Sequence, residues 1–316
     1  MRIAPGCRVA VRVPATSANL GPGFDTLGLA LAQYDDLEVE AAEPGLLEVE
    51  IEGLGAGQLP LDERHLVVRS IRHTLAGLGV EQPGLRLRAR NTIPHGRGMG
   101  SSGAAIVAGV MAAAGLVRGA IELDGDRILR IATELEGHPD NVAPCIFGGL
   151  TIAWMSSDGT PRSKRLLVHR GVSLAVLVPS ETMSTELARS LQPASVPHED
   201  AIFNVSRSAL LVAALVQSPE LLYEASEDRL HQSYRAAAMP RTAELVASLR
   251  AEGLAAVVSG AGPSVLVLCD DPGQRLRAAE IAERMPGPAW TAVLPAVDHL
   301  GATVEVVSAE TGSPSA

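Results

Sequence analysis

The glycine-rich segment at residues 94–102 restricts the possible folds more than any other part of the chain. Three glycines, Gly96, Gly98 and Gly100, alternate with larger residues, and an apolar stretch rich in Gly and Ala follows without a break. Main-chain N–H groups in such a segment can surround an anion because no Cβ atoms obstruct them. A helix that starts directly after it adds the partial positive charge of its N-terminus. The segment therefore favours phosphate binding at a helix start, with an ordinary turn capped by a serine as the alternative.

This segment differs from two widespread phosphate-binding loops. A Walker loop needs a lysine directly after its last glycine, and the loop of protein kinases depends on a lysine in a neighbouring strand. Lys164 is the only lysine in the chain, and it lies in a polar stretch that suits neither role. The charge of a triphosphate would therefore have to be met by main-chain amides, a metal ion and arginines.

Composition and charge exclude several other classes of protein. The 316 residues carry a net charge of −10, and no cluster of arginines forms the basic face that a nucleic-acid partner requires. The longest nearly apolar run, residues 103–117, is too short to cross a bilayer, and residues 1–10 lack the apolar core of a signal sequence. Three cysteines lie far apart without metal-ligand spacing, as reduced core thiols do. We expect a cytoplasmic, soluble protein that binds neither nucleic acid nor membrane.

The hydrophobic pattern predicts an α+β protein, in which strands first bracket helices and then alternate with them. Because only 3% of the residues are aromatic, Leu, Val, Ile and Ala must fill most of the core. Strands are predicted at residues 8–13, 37–39, 47–51, 85–89, 150–155, 172–178, 255–259, 265–269 and 303–307. Helices are predicted at residues 65–78, directly after 102, and at 127–136, 203–216, 241–251 and 274–284. A polar turn at residues 156–164 predicts a domain boundary there.

Two of the predicted strands carry opposite charges. Residues 47–52 place glutamates on one face, and residues 85–90 place arginines on one face. If these strands are neighbours, cross-strand ion pairs would help to fix their pairing. Two separate solvated faces are an equally good interpretation.

Three further segments have the residue types of a substrate site. Residues 13–25 form a loop paced by Pro and Gly that presents Asn19 and Asp25, which suit a small polar substrate. Residues 134–141 gather acids and a histidine before a proline, as in a metal and substrate site or in a simple helix stop. Residues 257–265 place a small-residue turn between two apolar strands, which suits either a close approach to phosphate or a hairpin.

Together these four segments resemble the GHMP kinases, and residues 13–25 closely resemble the signature of the homoserine kinase family within that group. Residues 94–102 resemble the phosphate loop of the group, residues 136–144 resemble another homoserine kinase segment, and residues 259–264 resemble the third GHMP motif. The order and spacing cover roughly residues 8–270. The resemblance implies ATP-dependent phosphorylation of the side-chain hydroxyl of L-homoserine to O-phospho-L-homoserine in threonine biosynthesis.

The resemblance also implies a two-domain fold. An N-terminal domain like ribosomal protein S5 domain 2 is expected at residues 1–160, and a ferredoxin-like C-terminal domain at residues 161–307. The polar tail at residues 308–316 is expected to be disordered. Relatives are often dimers, so a homodimer is also expected.

The implied ligands are ATP and Mg²⁺, with the adenine near residues 61–68. The metal ligands implied are Ser102 and Glu136, with Glu134 as the alternative. The residues implied in nucleotide binding are Pro94, His95, Gly96, Arg97, Gly98, Met99, Gly100, Ser101 and Ser102. The residues implied in homoserine binding are Asn19, Asp25, His138, Asn141, Arg189 and Arg235.

The catalytic residues implied are Asn141 and Asp25. Many GHMP kinases have an aspartate where this chain has Asn141, and an amide cannot accept the hydroxyl proton as a general base. We therefore expect direct in-line transfer, with Asn141 orienting the hydroxyl and with Asp25 as a base if it lies within reach.

Three substitutions depart from the pattern of the group. Met99 replaces a leucine, Gly103 replaces an alanine, and His65 stands where many relatives have an asparagine near the adenine. The competing interpretation is another GHMP kinase, of the mevalonate or shikimate type. A non-catalytic ATP-binding sensor would be expected to have lost a metal ligand or a substrate arginine.

Overall fold

A computed structural model describes residues 1–307 as two sheets with helices packed against them. The larger sheet has the strand order β11-β1-β2-β4-β3, and β5 extends it from β2 and carries β6. The smaller sheet has the order β10-β7-β9-β8. The strands of this part of the chain are β1 (Arg8–Ala18), β2 (Leu27–Ala42), β3 (Leu47–Gly53), β4 (Gly84–Asn91), β5 (Leu150–Met155), β6 (Pro161–Leu166), β7 (Ser173–Val178), β8 (Ala255–Val258), β9 (Val265–Cys269), β10 (Thr291–Val293) and β11 (Thr303–Val307).

Ten α-helices occur in the described residues. They are α1 (Leu66–Gly77), α2 (Ser101–Leu116), α3 (Gly125–Glu136), α4 (Pro139–Phe147), α5 (Thr185–Ser190), α6 (His198–Val216), α7 (Leu222–Ala225), α8 (Gln232–Arg235), α9 (Pro240–Ala251) and α10 (Pro272–Glu283). All the helices predicted from the sequence are present, while α4, α5, α7 and α8 were not predicted. Within residues 1–307, no helix combines the length and the apolar character that crossing a membrane requires.

The α+β class is confirmed. In the smaller sheet the strands lie in the order fourth, first, third, second along the chain, and all neighbours are antiparallel. This is the strand order of a ferredoxin-like sheet. The core of both sheets is mainly aliphatic, as the scarcity of aromatic residues requires, and Trp290 is its one buried aromatic side chain in the described residues.

The structure corrects the expected polar turn, while the domain bounds at residues 1–160 and 161–307 stay a prediction. Residues 161–164 belong to β6, which pairs with β5 in the larger sheet, so Lys164 lies in a strand. A boundary after residue 160 would therefore cut a β-hairpin. The strand β11 also returns to the larger sheet, beside β1, so the N-terminal layer includes chain from both ends of the described range. The expectation for the tail at residues 308–316 lies outside the described residues.

The oppositely charged strands are neighbours. β3 and β4 run parallel, with Glu48 opposite Arg86 and Glu50 opposite Arg88. The ion pairs are 2.7 and 3.0 Å long. Because all four side chains are about half exposed or more, water screens these pairs, and they stabilise the fold only weakly. The two interpretations of this pattern therefore both hold: the strands pair, and their charged faces are solvated.

Helix α2, which carries the glycine-rich segment at its start, lies between α1 and the sheet. Its residues are buried on nearly all sides. Gly109 faces Ser70 and the carbonyl oxygen of Val67 on α1, where an added Cβ would come within 2.5 and 2.7 Å. At its other end, Gly115 lies against Val9 of β1. Small residues thus let α2 sit close to both layers, and this packing fixes the position of its N-terminus.

Gly109→Ala tests this close packing. We expect it to destabilise the protein by about 1–3 kcal/mol, since the added methyl group overlaps α1. Gly77→Ala is the matched control, because Gly77 also lies in a helix but has open space where its Cβ would be. Chemical denaturation should show the control at or slightly above the stability of the unmodified protein. Equal stability of the two variants would contradict this account of the α1–α2 contact.

Candidate active site

Two clefts meet at the start of α2. The first, of about 150 Å³, contains residues from every predicted site segment, and the second, of about 270 Å³, lies between β2, β4 and the start of α1. Ser101 and Ser102 line both clefts. The first cleft is lined by Asn19, Asp25, Gly96, Gly98, Gly100, Ser101, Ser102, Glu136, His138, Asp140, Asn141, Met183, Ser184, Arg189, Arg235, Gly260, Ala261 and Gly262.

The glycine-rich loop is held by main-chain contacts on both sides. The N–H of Thr16 donates to the carbonyl of Met99 at 3.1 Å, and the Ser259 hydroxyl donates to the carbonyl of Gly98 at 2.6 Å. A Cβ on Gly98 would collide with the carbonyl oxygen of Ser259, and one on Gly100 would collide with the Thr16 hydroxyl. Both glycines also have φ near +70°. Glycine is therefore required at both positions for two reasons: the backbone is left-handed, and neighbouring atoms of Ser259 and Thr16 lie where a Cβ would be.

The N-terminus of α2 is open. Its cap residue is Gly100, no side chain caps it, and no acidic residue lies in its first turn. The predicted alternative of a helix capped by a serine side chain is therefore wrong. N–H groups of the first turn that lack side-chain acceptors can bind an anion, and the helix dipole favours negative charge there.

The loop that follows β1 has an unusual backbone. Asn19, Leu20 and Asp25 all have positive φ values, of 69°, 52° and 53°. The Asn19 side chain holds this shape, because its amide donates to the carbonyl of Gly260 at 2.8 Å and accepts from the N–H of Asp25 at 3.0 Å. Asn19 lines the cleft, but both ends of its amide are already engaged within the protein. Its contacts therefore indicate that Asn19 holds the shape of the loop that lines the cleft.

A hydroxyl and a carboxylate meet at the junction of the two clefts. Ser102 donates to the Glu136 carboxylate at 3.0 Å. Burial raises the pKa of Glu136, although the nearby His138 and the Ser102 hydrogen bond oppose this. A desolvated carboxylate gains from a cation beside it. Mg²⁺ is typically held by one or two protein carboxylates together with phosphate oxygens and water, so this pair fits it.

The alternative metal ligand lies elsewhere. Glu134 is exposed on the outer side of α3, and its carboxylate lies 3.6 Å from the His73 imidazole. It lines neither cleft. The helical spacing explains the difference, since residues two apart point in different directions around a helix.

The His-Pro-Asp-Asn segment forms the first turn of α4 and its cap. The His138 imidazole makes a short hydrogen bond to Asp140, which is buried. Burial disfavours the charged form of His138, but the hydrogen bond and charge of Asp140 outweigh it and raise the pKa. Asn141 accepts a hydrogen bond from the Thr16 hydroxyl at 3.2 Å, which leaves its amide N–H₂ group as a donor. The segment is thus a helix start that directs a histidine and an amide donor into the cleft.

The two predicted arginines differ in environment. Arg235 is 2% exposed and lies over the ring of Phe24, with the carbonyls of Ala188 and Gly260 as hydrogen-bond acceptors. Burial lowers its pKa. Within residues 1–307 no carboxylate lies within ion-pair distance of its guanidinium. A buried cation without an acid partner is costly, and an anionic ligand group would relieve that cost.

Arg189, by contrast, is paired within the protein. It donates two hydrogen bonds to the Asp25 carboxylate, over 3.0 and 3.2 Å, with both side chains about 40% exposed. This part of the cleft therefore presents Asp25 and two arginines to a ligand. A zwitterion can satisfy all three, since its ammonium group suits Asp25 and its carboxylate suits an arginine.

The second cleft includes residues 64–67 of the segment expected to hold adenine. His65 lies in it, 5% exposed, and its Nδ1 has no hydrogen-bond partner. Burial and the neighbouring His95 lower the pKa of His65. The apolar walls and the few polar groups suit a flat aromatic ligand.

Most of the predicted site residues come together, and some do not. Of the nucleotide-binding segment, Gly96, Gly98, Gly100, Ser101 and Ser102 line the first cleft, while His95 lines the second. Met99 is buried beneath the loop, and Pro94 and Arg97 line neither cleft. Six residues that line the first cleft were not predicted as site residues: Asp140, Met183, Ser184, Gly260, Ala261 and Gly262. The segment that contains Met183 and Ser184 has no motif, whereas Asp140 stands inside a motif and was passed over.

The comparisons with known proteins agree with this geometry. Two sequence profiles match, that of the GHMP kinases N-terminal domain at residues 65–149 and that of the GHMP kinases C-terminal domain at residues 210–286. A homoserine kinase of Clavibacter michiganensis subsp. michiganensis is 67% identical over 99% of both chains. A homoserine kinase of Streptomyces avermitilis is 51% identical over 94% of this chain and 95% of the relative. The crystal structure of homoserine kinase from Cytophaga hutchinsonii matches with a TM-score of 0.83 at 25% identity, over 94% of this chain and 97% of that one.

The fold, the open helix start and both matching profiles define a GHMP kinase, a class of enzymes that phosphorylate small molecules. The relatives that match over nearly their whole length identify the family within this class. The chain belongs to the homoserine kinase family.

Gly98→Ala tests the main-chain cradle. We expect the affinity for a nucleotide to fall by about tenfold or more, because the Cβ adds both a strained φ and a collision with Ser259. Gly159→Ala, in the β5–β6 turn, is the control, since it has the same positive φ but open space around its Cβ. Calorimetric titration of the two variants separates the collision from the strain. Nucleotide binding lost equally in both variants would contradict the role of Gly98.

Proposed function

We propose that the protein transfers the γ-phosphoryl group of ATP to the side-chain hydroxyl of L-homoserine, giving O-phospho-L-homoserine for threonine biosynthesis. The observation that carries the proposal is the placement of Arg235, a buried cation without an acid partner in residues 1–307, in the same cleft as the glycine-rich loop. That cleft pairs a phosphate-binding element with groups for an amino acid. The full-length similarity to homoserine kinases supports the same substrate.

ATP would span both clefts. Its base fits the second cleft, beside His65, and its phosphates would then lie over Ser101 and Ser102, where the clefts join. The N–H groups at the start of α2 would bind the phosphates, as the chain lacks the lysine that other kinases use. Ser102 and Glu136 would hold Mg²⁺. The ion would neutralise charge on the phosphate oxygens as transfer proceeds.

Homoserine would bind at the other end of the first cleft. Its carboxylate would form an ion pair with Arg235, and its ammonium group would form one with Asp25. A planar guanidinium can bind a carboxylate with two parallel hydrogen bonds, which a lysine cannot do. The hydroxyl would then point towards the loop, between His138 and Asn141.

The protein's own part in catalysis would be positioning. Asn141 would donate to the oxygen of the attacking hydroxyl, because its own carbonyl oxygen already accepts from Thr16. Asp25, the alternative base, is engaged by two hydrogen bonds from Arg189, which favours a binding role over proton transfer. The hydroxyl proton would then pass to an oxygen of the transferred phosphoryl group as the bond to ADP breaks. Phosphoryl transfer has a loose transition state, so alignment and charge neutralisation supply most of the acceleration.

Two expectations stay predictions. A homodimer follows from the resemblance to relatives alone, and light scattering of the purified protein would decide it. The cytoplasmic location is likewise an expectation from the sequence.

The direct test of the function is an ADP-release assay with ATP, Mg²⁺ and five acceptors: homoserine, serine, threonine, mevalonate and shikimate. We expect the highest kcat/KM with homoserine, because Asp25 and Arg235 suit the two charges of an amino acid and the relatives that match over nearly the whole chain are homoserine kinases. Mevalonate and shikimate lack the ammonium group. Activity confined to mevalonate or to shikimate would contradict homoserine as the substrate and would assign the protein to another type of GHMP kinase.

Glu136→Gln and Glu134→Gln test the metal site as a matched pair on one helix. We expect Glu136→Gln to lower kcat/KM by about 100-fold and to raise the Mg²⁺ concentration that gives half-maximal activity, since it removes the charge beside Ser102. Glu134→Gln should leave both values near those of the unmodified protein, because Glu134 faces His73 outside the clefts. Steady-state kinetics over a range of Mg²⁺ would show this, and the reverse pattern would assign the metal to Glu134.

A further inference from the structure

Arg97 stands between two glycines of the phosphate-binding loop, but its side chain points away from the nucleotide. Its guanidinium donates to the carbonyl of Pro179 at 2.9 Å, of Ser180 at 2.8 Å and of His95 at 3.2 Å. It lines neither cleft. Three N–H donors of Arg97 are therefore bound to main-chain carbonyls. Two of these carbonyls lie just beyond the end of β7, in the C-terminal layer.

A second contact joins the same two segments. The N–H of Met183 donates to the carbonyl of Gly96 at 2.9 Å. Gly96 and Arg97 are consecutive, and Pro179 to Met183 form the connection from β7 to α5. The phosphate-binding loop and this connection are thus tied by a main-chain bond and by one side chain.

The connection leads directly to a substrate residue. Ser184 caps α5 by accepting from the N–H of Leu187, and Arg189 lies on the last turn of that short helix. Met183, Ser184 and Arg189 all line the first cleft. A shift of the loop would therefore reach Arg189 through about one turn of helix.

The charge of Arg97 adds to the strength of this tie. Within residues 1–307 no carboxylate lies within ion-pair distance of its guanidinium. Hydrogen bonds from a charged donor to carbonyl oxygens are stronger than those between neutral groups. The guanidinium also spans three carbonyls with one rigid plane, which fixes a geometry as well as a distance.

We propose that Arg97 is a positioning residue that couples the nucleotide loop to the amino-acid pocket, so that binding of one substrate favours binding of the other. The proposal rests on the proposed function, because the amino-acid pocket is the one defined there. A shift of the loop on nucleotide binding would move the β7–α5 connection through Arg97 and so reposition Arg189, together with its partner Asp25, for the amino acid. Coupling of this kind is reciprocal, so homoserine would tighten nucleotide binding by the same factor.

Calorimetric titration of the full chain measures this coupling. Homoserine is titrated with and without a non-hydrolysable ATP analogue and Mg²⁺, and the ratio of the two Kd values is the coupling factor. We expect a factor of about 5 or more for the unmodified protein and about 1 for Arg97→Ala. Binding of the nucleotide analogue alone should change by less than about threefold, since Arg97 lies outside the clefts. In turnover, KM for homoserine should rise more than kcat falls.

Three further variants complete the test. Arg97→Lys should restore part of the coupling, because an ammonium group can reach some of the carbonyls, and Arg97→Gln should restore less. Arg284→Ala, an exposed arginine on the far side of the C-terminal layer, should leave the factor unchanged. Should Arg97→Ala fail to fold, the order Arg, Lys, Gln in the coupling factor carries the same test.

Full coupling in Arg97→Ala, equal coupling in Arg97→Lys, Arg97→Gln and the unmodified protein, or no coupling in the unmodified protein overturns the proposal. Weakened binding of the nucleotide analogue alone, with coupling intact, also overturns it and assigns Arg97 to the phosphates. Failure of the unmodified protein to phosphorylate homoserine refutes the proposed function instead. If the protein phosphorylates homoserine and the Arg97 substitutions leave the coupling factor unchanged, only the positioning role is refuted.

Discussion

The close approach of three main-chain segments around Gly98 and Gly100 underlies the rest of the structure. One segment is the end of β1, another is the glycine-rich loop, and the third is the turn at residues 259–262. No side chain larger than hydrogen fits at the two contacts, so the loop backbone lies directly against the Ser259 carbonyl at Gly98 and against the Thr16 hydroxyl at Gly100. The open start of α2 is fixed in turn, because α2 is packed between α1 and the larger sheet. A rigid, uncapped helix start is the element that a phosphate chain needs, and the fold supplies it without a lysine.

The charged groups of the cleft are arranged so that each substrate would either replace an ion pair within the protein or offset the desolvation of a buried charge. Arg235 is desolvated without an acid partner in the described residues, and Glu136 is desolvated beside a hydroxyl. Asp25 and Arg189 neutralise each other over two hydrogen bonds. An amino acid offers a carboxylate and an ammonium group, so it can exchange partners with the ion pair without leaving either charge exposed. Specificity then comes from the arrangement of charges more than from shape.

The sequence predicted the long regular elements because periodicity and burial are local properties. It placed α1, α3, α6, α9 and α10 to within a few residues, and it gave the charge pairing of β3 and β4 as one of two equal interpretations. It missed most of β2, which bends and bulges opposite Pro14, and it took β6 for a turn because its residues are polar and exposed. An edge strand with little to bury has no apolar alternation to reveal it. The helix start at His138 was also obscured, since only Gly137 and His138 separate the end of α3 from the start of α4.

For the site, the motifs predicted which residues meet but not what each one does. Asn19 and Arg97 both stand inside motifs, yet their side chains bind the protein's own main chain. That distinction depends on contacts between segments more than 80 residues apart, such as Arg97 with Ser180 or Asn19 with Gly260. Local sequence does not encode such contacts. The resemblance already implied Glu136 ahead of Glu134, and the direction of the helix face supports that choice.

The return of β11 to the larger sheet affects the order in which the protein can be completed. β1 ends in the residues that support the phosphate loop, and on its outer side it pairs with β11 through five residue pairs. A ribosome releases residues 8–302 before this partner strand emerges, so during synthesis the outer edge of β1 carries unpaired N–H and C=O groups. The nascent chain must therefore keep the sheet edge at residues 8–12 open while the C-terminal layer folds. Late closure of the sheet makes this edge the place where chaperones, or a second nascent chain, would most readily bind.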